Sequence, residues 1–133
     1  MARIYTESDA SLDPLRGKRI AVIGYGIQGR AQALNLRDSG LDVLVGARRG
    51  SSYELAEREG FRVLPIGRAV AEADVILYLL PDMVQPDVWR EEVEPNLGED
   101  VTVDFAHGFT IHYGLIRPKE SVDVVMVAPK APG

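Results

Sequence analysis

The chain has 133 residues, with 15 Lys and Arg against 20 Asp and Glu and a net charge of −5. That length suits one domain with a core of its own, and the acidic balance argues against a general nucleic-acid surface. Cysteine is absent, which excludes a disulfide framework, a thiolate metal site and a cysteine nucleophile, and fits a reducing, cytoplasmic setting. No apolar run reaches the ~18 residues of a membrane span, and residues 1–5 lack the apolar core of a secretory signal.

Along the chain, Asp9, Ser11 and Asp13-Pro14 predict a short helix or turn before Leu15. A strand is expected at 19–23 and a helix at 27–39, with Ile27, Ala31 and Leu34 as its buried stripe and Gly40 as its stop. Residues 41–46 read as the second strand. A helix follows that ends near Gly60, with Ser51 and Glu54 at capping-box spacing. A short third strand at 61–65, a small helix at 67–73 and a nearly continuous apolar strand at 74–80 come next. Asp82 and Gln85 again have capping-box spacing at the start of a helix, with Pro86 in the first turn. Trp89 and Val93 are one turn apart on its face, and Asn96-Leu97-Gly98 ends it. A fifth strand at 101–105, a loop at 106–110, a short helix within 110–116 and a sixth, buried strand at 122–127 complete the pattern.

Six strands alternating with helices predict an open, doubly wound, mainly parallel α/β sheet with helices on both faces. Ligands of such sheets bind beyond the carboxyl ends of the strands. The notable loops (24–29, 47–52, 81–86, 106–109 and 128–133) all follow strands, so they converge on one edge.

The stretch that organises this edge is Ile20-Ala21-Val22-Ile23-Gly24-Tyr25-Gly26-Ile27-Gln28-Gly29. Four apolar residues lead into glycines at G-x-G-x-x-G spacing. Gly24 permits the tight turn, Gly26 lets a pyrophosphate approach the backbone, and Gly29 lets the next helix pack close to the strand. The free N–H groups at that helix start favour an anion. Strand before and helix after is the context this motif requires for a dinucleotide site of the Rossmann type; without a ligand it is only a glycine-rich turn.

Many NAD sites place an acid at the end of the second strand to accept from the ribose 2′-hydroxyl. Here Asp42 lies at the wrong end, and Arg48, Arg49, Ser51 and Ser52 occupy the right region. An arginine fork suits phosphate and serines at a helix start add donors, which favours NADP over NAD. Otherwise the arginines are solvated loop charges and Ser51 an N-cap. Residues 82–85 (Asp82, Met83, Val84, Gln85) border the cofactor groove, or form a helix cap over a buried Val84. His107, after the fifth strand, suits proton exchange or a loop hydrogen bond; His112 reads as structural. Lys130, framed by Pro129 and Pro132, either holds an anionic or carbonyl group of a substrate or is a surface lysine.

Four strings carry a resemblance: Ile23-Gly24-Tyr25-Gly26-Ile27-Gln28-Gly29, Leu80-Pro81-Asp82-Met83-Val84-Gln85, Asp104-Phe105-Ala106-His107-Gly108-Phe109 and Val127-Ala128-Pro129-Lys130-Ala131-Pro132-Gly133. In this order, with the lead-in Asp13-Pro14-Leu15-Arg16-Gly17-Lys18, the chain resembles the cofactor-binding domain of ketol-acid reductoisomerase. The resemblance implies conversion of 2-acetolactate or 2-aceto-2-hydroxybutyrate to a 2,3-dihydroxy acid in branched-chain amino-acid synthesis. The reaction combines a magnesium-promoted alkyl shift with hydride transfer from NADPH. By resemblance, Tyr25, Gly26, Ile27, Gln28, Arg48, Ser51, Ser52, Asp82 to Gln85 and Gly133 are cofactor positions. His107 is then the active-site histidine, Lys130 a lysine of the substrate site, and the complete enzyme a homo-oligomer.

One departure goes with it. In the family a helical C-terminal domain supplies the carboxylates for two magnesium ions. After His107 this chain has only Glu120 and Asp123, and a two-metal site needs several convergent oxygens. Residues 1–133 are therefore expected to be a cofactor domain, inactive alone. The rival reading is a dinucleotide-sensing binding module, which accounts for the glycines but not for the His107 and Lys130 loops together.

Overall fold

A computed structural model describes residues 1–130; the expected cofactor position Gly133 lies outside the described residues. Six parallel strands, β1 (Arg19–Ile23), β2 (Asp42–Gly46), β3 (Arg62–Leu64), β4 (Val75–Tyr78), β5 (Thr102–Phe105) and β6 (Asp123–Met126), form one sheet in the order β3-β2-β1-β4-β5-β6. This is the doubly wound order, and its direction reverses between β1 and β4. The helices are α1 (Ile27–Asp38), α2 (Ser51–Arg58), α3 (Ile66–Glu72), α4 (Gln85–Val88) and α5 (Phe109–His112). After α4 the chain widens to a π-type turn over Trp89–Val93, then tightens to a 3-10 turn over Glu94–Asn96.

Strand alternation sorts the core into two layers. Ala21 and Ile23 of β1 face α3 and the α4 segment, packing with Ile76, Tyr78, Trp89, Val93, Val103 and Phe105. Ile20 and Val22 face the α1–α2 side, with Ala33, Val45, Tyr53, Ala56 and Phe61. Both faces of β1 are therefore covered, which is why its sequence is apolar without a break. Full burial of side chains such as Ile20 and Ile23 stabilises the fold by about 1.5–3 kcal/mol each.

Most expected elements occur where the pattern puts them, but four local readings are corrected. The buried face of α1 is Gly29 and Ala33; Ile27 is 72% exposed and Ala31 is exposed. Leu34 of the expected stripe is half-buried against the core, while the closest packing of α1 on β1 selects the small residues Gly29 and Ala33. Ser51 is not an N-cap: Gly50 holds that position, with no side-chain cap. Asp82 does not cap α4 either, because the helix starts at Gln85 with Val84 before it. Finally, β6 is exposed throughout. On the α1 side, Asp104, Val125 and Val127 border a groove of about 490 Å³, with Gln32 and Leu36 of α1 on its other wall.

Candidate functional site

The glycine turn at the end of β1 meets two different constraints. A Cβ on Gly29 would fall 2.2 Å from the carbonyl oxygen of Gly24, so Gly29 serves contact between α1 and the turn. Gly24 has a φ of 96° and lies against Leu79, a conformation open to glycine at little cost. Gly26 is the reverse case. It precedes α1 with a φ of −78°, and nothing lies within 4 Å of the place its Cβ would take. The backbone is thus open to a ligand at the positive end of a 12-residue helix.

Tyr25 anchors this turn from below. Its side chain is buried, its ring meets Phe61 edge-on, and its hydroxyl donates to Glu59 Oε2 at 2.5 Å. Glu59 also accepts from Arg30 Nε and Nη2, and its backbone carbonyl accepts from Arg37. Arg30 first, then Tyr25, hold the Glu59 carboxyl down at about 2. Burial, reinforced by Glu59, pushes the Tyr25 phenol up to about 12. The ring therefore acts as a neutral donor that ties the turn to the end of α2.

Gly24, Tyr25 and Gly26 share one cleft of about 380 Å³ with Arg48, Arg49, Ser51, Ser52 and Val84. Ile66, Leu79, Leu80, Pro81 and Val88 complete its apolar part. The two serines stand at the exposed start of α2. Arg49 lies over the Tyr53 ring, 4.3 Å from its centroid. Arg48 reaches across to the α4 segment, donating to Glu92 Oε1 from Nη2 at 2.9 Å and from Nε at 3.2 Å.

The stretch 82–85 does not act as one unit. Val84 lines the cleft and is 39% exposed rather than buried, and Met83 is 85% exposed. Gln85 is buried: its side-chain amide donates to Leu80 O at 2.8 Å and its Oε1 accepts from Thr110 Oγ1 at 3.0 Å. Tyr78 OH in turn donates to Gln85 O. Gln85 thus pins the loops after β4 and β5 together from inside the fold. Ile27 and Gln28 sit in the first turn of α1, outside the cleft lining, with Gln28 accepting from Gln32.

A second cleft, about 510 Å³, opens beside α5 and contains both His107 and Lys130, with Phe109, His112, Tyr113 and Met126. His107 Nδ1 accepts from the Phe109 N–H at 3.3 Å and lies 3.4 Å from Asp82 Oδ2. Asp82 therefore faces the histidine rather than capping a helix. Among the described residues no group of three or more His, Asp or Glu is placed to hold a metal ion. The pairings of Glu92 with Arg48 and of Glu59 with Tyr25 span 44 and 34 residues, so no local spacing announces them.

Comparison with known proteins adds the following. Residues 14–133 match the family model for the NADPH-binding domain of acetohydroxy acid isomeroreductase. The chain is 69% identical over 134 residues to a ketol-acid reductoisomerase (NADP(+)) of Pyrobaculum aerophilum, aligning over 100% of this chain and 41% of that protein. It is 56% identical over 134 residues to the one of Methanopyrus kandleri, over 100% of this chain and 41% of that protein. It thus spans about two-fifths of the length of these relatives. The solved structure of an NADH-preferring ketol-acid reductoisomerase from an uncultured archaean superposes with a TM-score of 0.95 at 45% identity, over 99% of this chain and 42% of that one. A semialdehyde dehydrogenase NAD-binding protein from Cupriavidus necator, at 20% identity and a TM-score of 0.75 over 86% of this chain and 42% of that one, shares the fold alone.

Proposed function

The chain belongs to the acetohydroxy acid isomeroreductase, or ketol-acid reductoisomerase, family, and from that premise we propose that it binds NADP(H) for such an enzyme in branched-chain amino-acid synthesis. The observation that carries the reading is the single cleft shared by the glycine turn and the 48–52 loop. The open space at Gly26 and the start of α1 fit a pyrophosphate. Arg48, Ser51 and Ser52 would receive the 2′-phosphate, and Ile66, Val84 and Val88 offer an apolar wall for the base. Bound there, the cofactor supplies hydride.

The whole enzyme would isomerise and reduce 2-acetolactate or 2-aceto-2-hydroxybutyrate. His107 then exchanges protons with the substrate oxygens, directly or through water, with Asp82 Oδ2 3.4 Å from its Nδ1 to orient the ring. Lys130 places an ammonium in the same cleft for an anionic or carbonyl group. The described residues offer no set of oxygen ligands that fits the family's magnesium ions, so no step here runs through a metal. The relatives extend well beyond the matched region, and we place metal binding and subunit contacts there.

A second reading, preference for NADH, has an observation of its own: the Arg48 guanidinium already has a carboxylate partner. Titration of the chain with NADPH and NADH, followed by cofactor fluorescence, separates the two. Tighter NADPH binding is expected, and tighter NADH binding reverses the assignment. With magnesium and acetolactate, residues 1–133 alone are expected to oxidise no NADPH; steady turnover would refute that division of labour.

A further inference from the structure

The Arg48–Glu92 pair bridges the loop after β2 and the π-type turn that follows α4. Two of the guanidinium nitrogens, Nε and Nη2, point at one carboxylate oxygen. Arg48 is 60% exposed at its side chain and Glu92 29%, so the pair stands at the surface of the cleft, reachable by a ligand. The neighbouring Arg49 lines the same cleft, but its guanidinium carbon lies over the Tyr53 ring, 4.3 Å from the centroid. A phosphate that binds Arg48 must therefore share it with a negative charge already fixed on it.

We infer that Glu92 is a specificity-determining residue, which competes with a cofactor 2′-phosphate for Arg48 and so narrows the preference for NADP(H) over NAD(H). The inference rests on the reading that this cleft takes the 2′-phosphate at Arg48. Its physical content is simple. A phosphate dianion at Arg48 loses part of the guanidinium's donor set to Glu92 and is repelled by the carboxylate. A ribose 2′-hydroxyl carries no charge, so it escapes that repulsion and can donate to a carboxylate. Sequence proximity cannot build this arrangement; the reach of the α4 segment over the end of β2 does. Glu91 adds to the negative field at Arg48 but makes no hydrogen bond to it, which supplies a control of equal charge.

The probes are 2′,5′-ADP and 5′-AMP, which differ by the 2′-phosphate, titrated calorimetrically into the 133-residue chain. Glu92→Gln is expected to tighten 2′,5′-ADP binding about five-fold, the upper range for one exposed ion pair, and to give 5′-AMP no gain. Glu92→Ala gives the same gain without an amide in the way, and Glu91→Gln gives less. Raising the salt concentration shrinks the gain, because exposed charges are screened. An unchanged or weakened 2′,5′-ADP affinity in both Glu92 variants overturns the inference, as does an equal gain in Glu91→Gln. If wild type and variants alike bind 2′,5′-ADP no better than 5′-AMP, the 2′-phosphate reading itself fails and takes the inference with it. If wild type discriminates and the Glu92 variants discriminate equally, only the inference falls.

Discussion

Asp82 Oδ2 lies 3.4 Å from His107 Nδ1, although the two residues belong to different loops, one after β4 and one after β5. The same nitrogen accepts the Phe109 N–H. The two contacts hold the imidazole in the cleft that also contains Lys130. In the complete enzyme, His107→Gln is expected to lower turnover by about 10²–10⁴-fold while NADPH affinity stays near wild type. Turnover and affinity are measured separately. Near-normal turnover removes His107 from the chemistry, and loss of NADPH binding makes its role structural.

Arg48→Ala tests the phosphate assignment directly. A charge-assisted hydrogen bond to phosphate contributes about 1.5–3 kcal/mol, so NADPH affinity should fall by roughly one to two orders of magnitude. NADH affinity should hardly change, because its 2′-hydroxyl has no need of the guanidinium. Parallel titrations of both cofactors check this, and an equal loss for both would point to a disturbed cleft instead.

The roles of Gly29 and Gly26 in the glycine turn separate experimentally. In Gly29→Ala the new methyl meets backbone, 2.2 Å from Gly24 O, so α1 must shift, at a cost of about 1–3 kcal/mol or more. A lower melting temperature and weaker cofactor binding should appear together. In Gly26→Ala the methyl meets nothing within 4 Å and the backbone is at a φ open to alanine. Stability should be unchanged while NADPH binding weakens. If Gly26→Ala binds NADPH as wild type does, the open space at Gly26 is not the pyrophosphate's.

Asp104 sets a pH dependence of the opposite sign to most carboxylates. Burial pushes its carboxyl up from 3.8 to about 6, only partly offset by the Val127 N–H that it accepts. A raised carboxyl keeps its proton longer in the folded chain than in the unfolded one. Stability from this group is therefore full below about pH 3.8 and lost as pH rises through about 6. Asp104→Asn keeps the oxygen that faces Val127 and removes the titration. Denaturant unfolding between pH 4 and 8 should show the variant gaining on wild type up to about pH 6 and holding a constant advantage above it. A constant difference across the whole range would contradict this account.

Much of the site was legible because its signals are local. Gly24, Gly26 and Gly29 lie within six residues of one another after an apolar strand, and the Arg48–Ser52 run needs only to follow a strand end. His107 and Lys130 were readable as loop residues on the ligand edge, and they do open into one cleft. The capping expectations failed for a physical reason. Ser51 and Asp82 have the right spacing to a later acid or amide, but Gly50 and Val84 take the cap positions. Spacing states which side chains can reach a helix end; backbone geometry decides where that end is.

What the sequence determined by itself is the alternation of strands and helices, the strand ends that carry the loops, and the glycine turn with its cationic neighbour loop. These follow from period, turn chemistry and side-chain volume within a few residues. The tertiary structure alone decided which apolar face was covered: β6 reads as a buried strand yet is exposed, because burial depends on what packs over a strand as well as on its own residues. It alone put Glu92 on Arg48, Glu59 on Tyr25, Asp82 on His107 and Gln85 beneath the loops. Each of these contacts joins segments from separate strand–helix units, and their partners are set by the strand order β3-β2-β1-β4-β5-β6, which no window of the sequence contains.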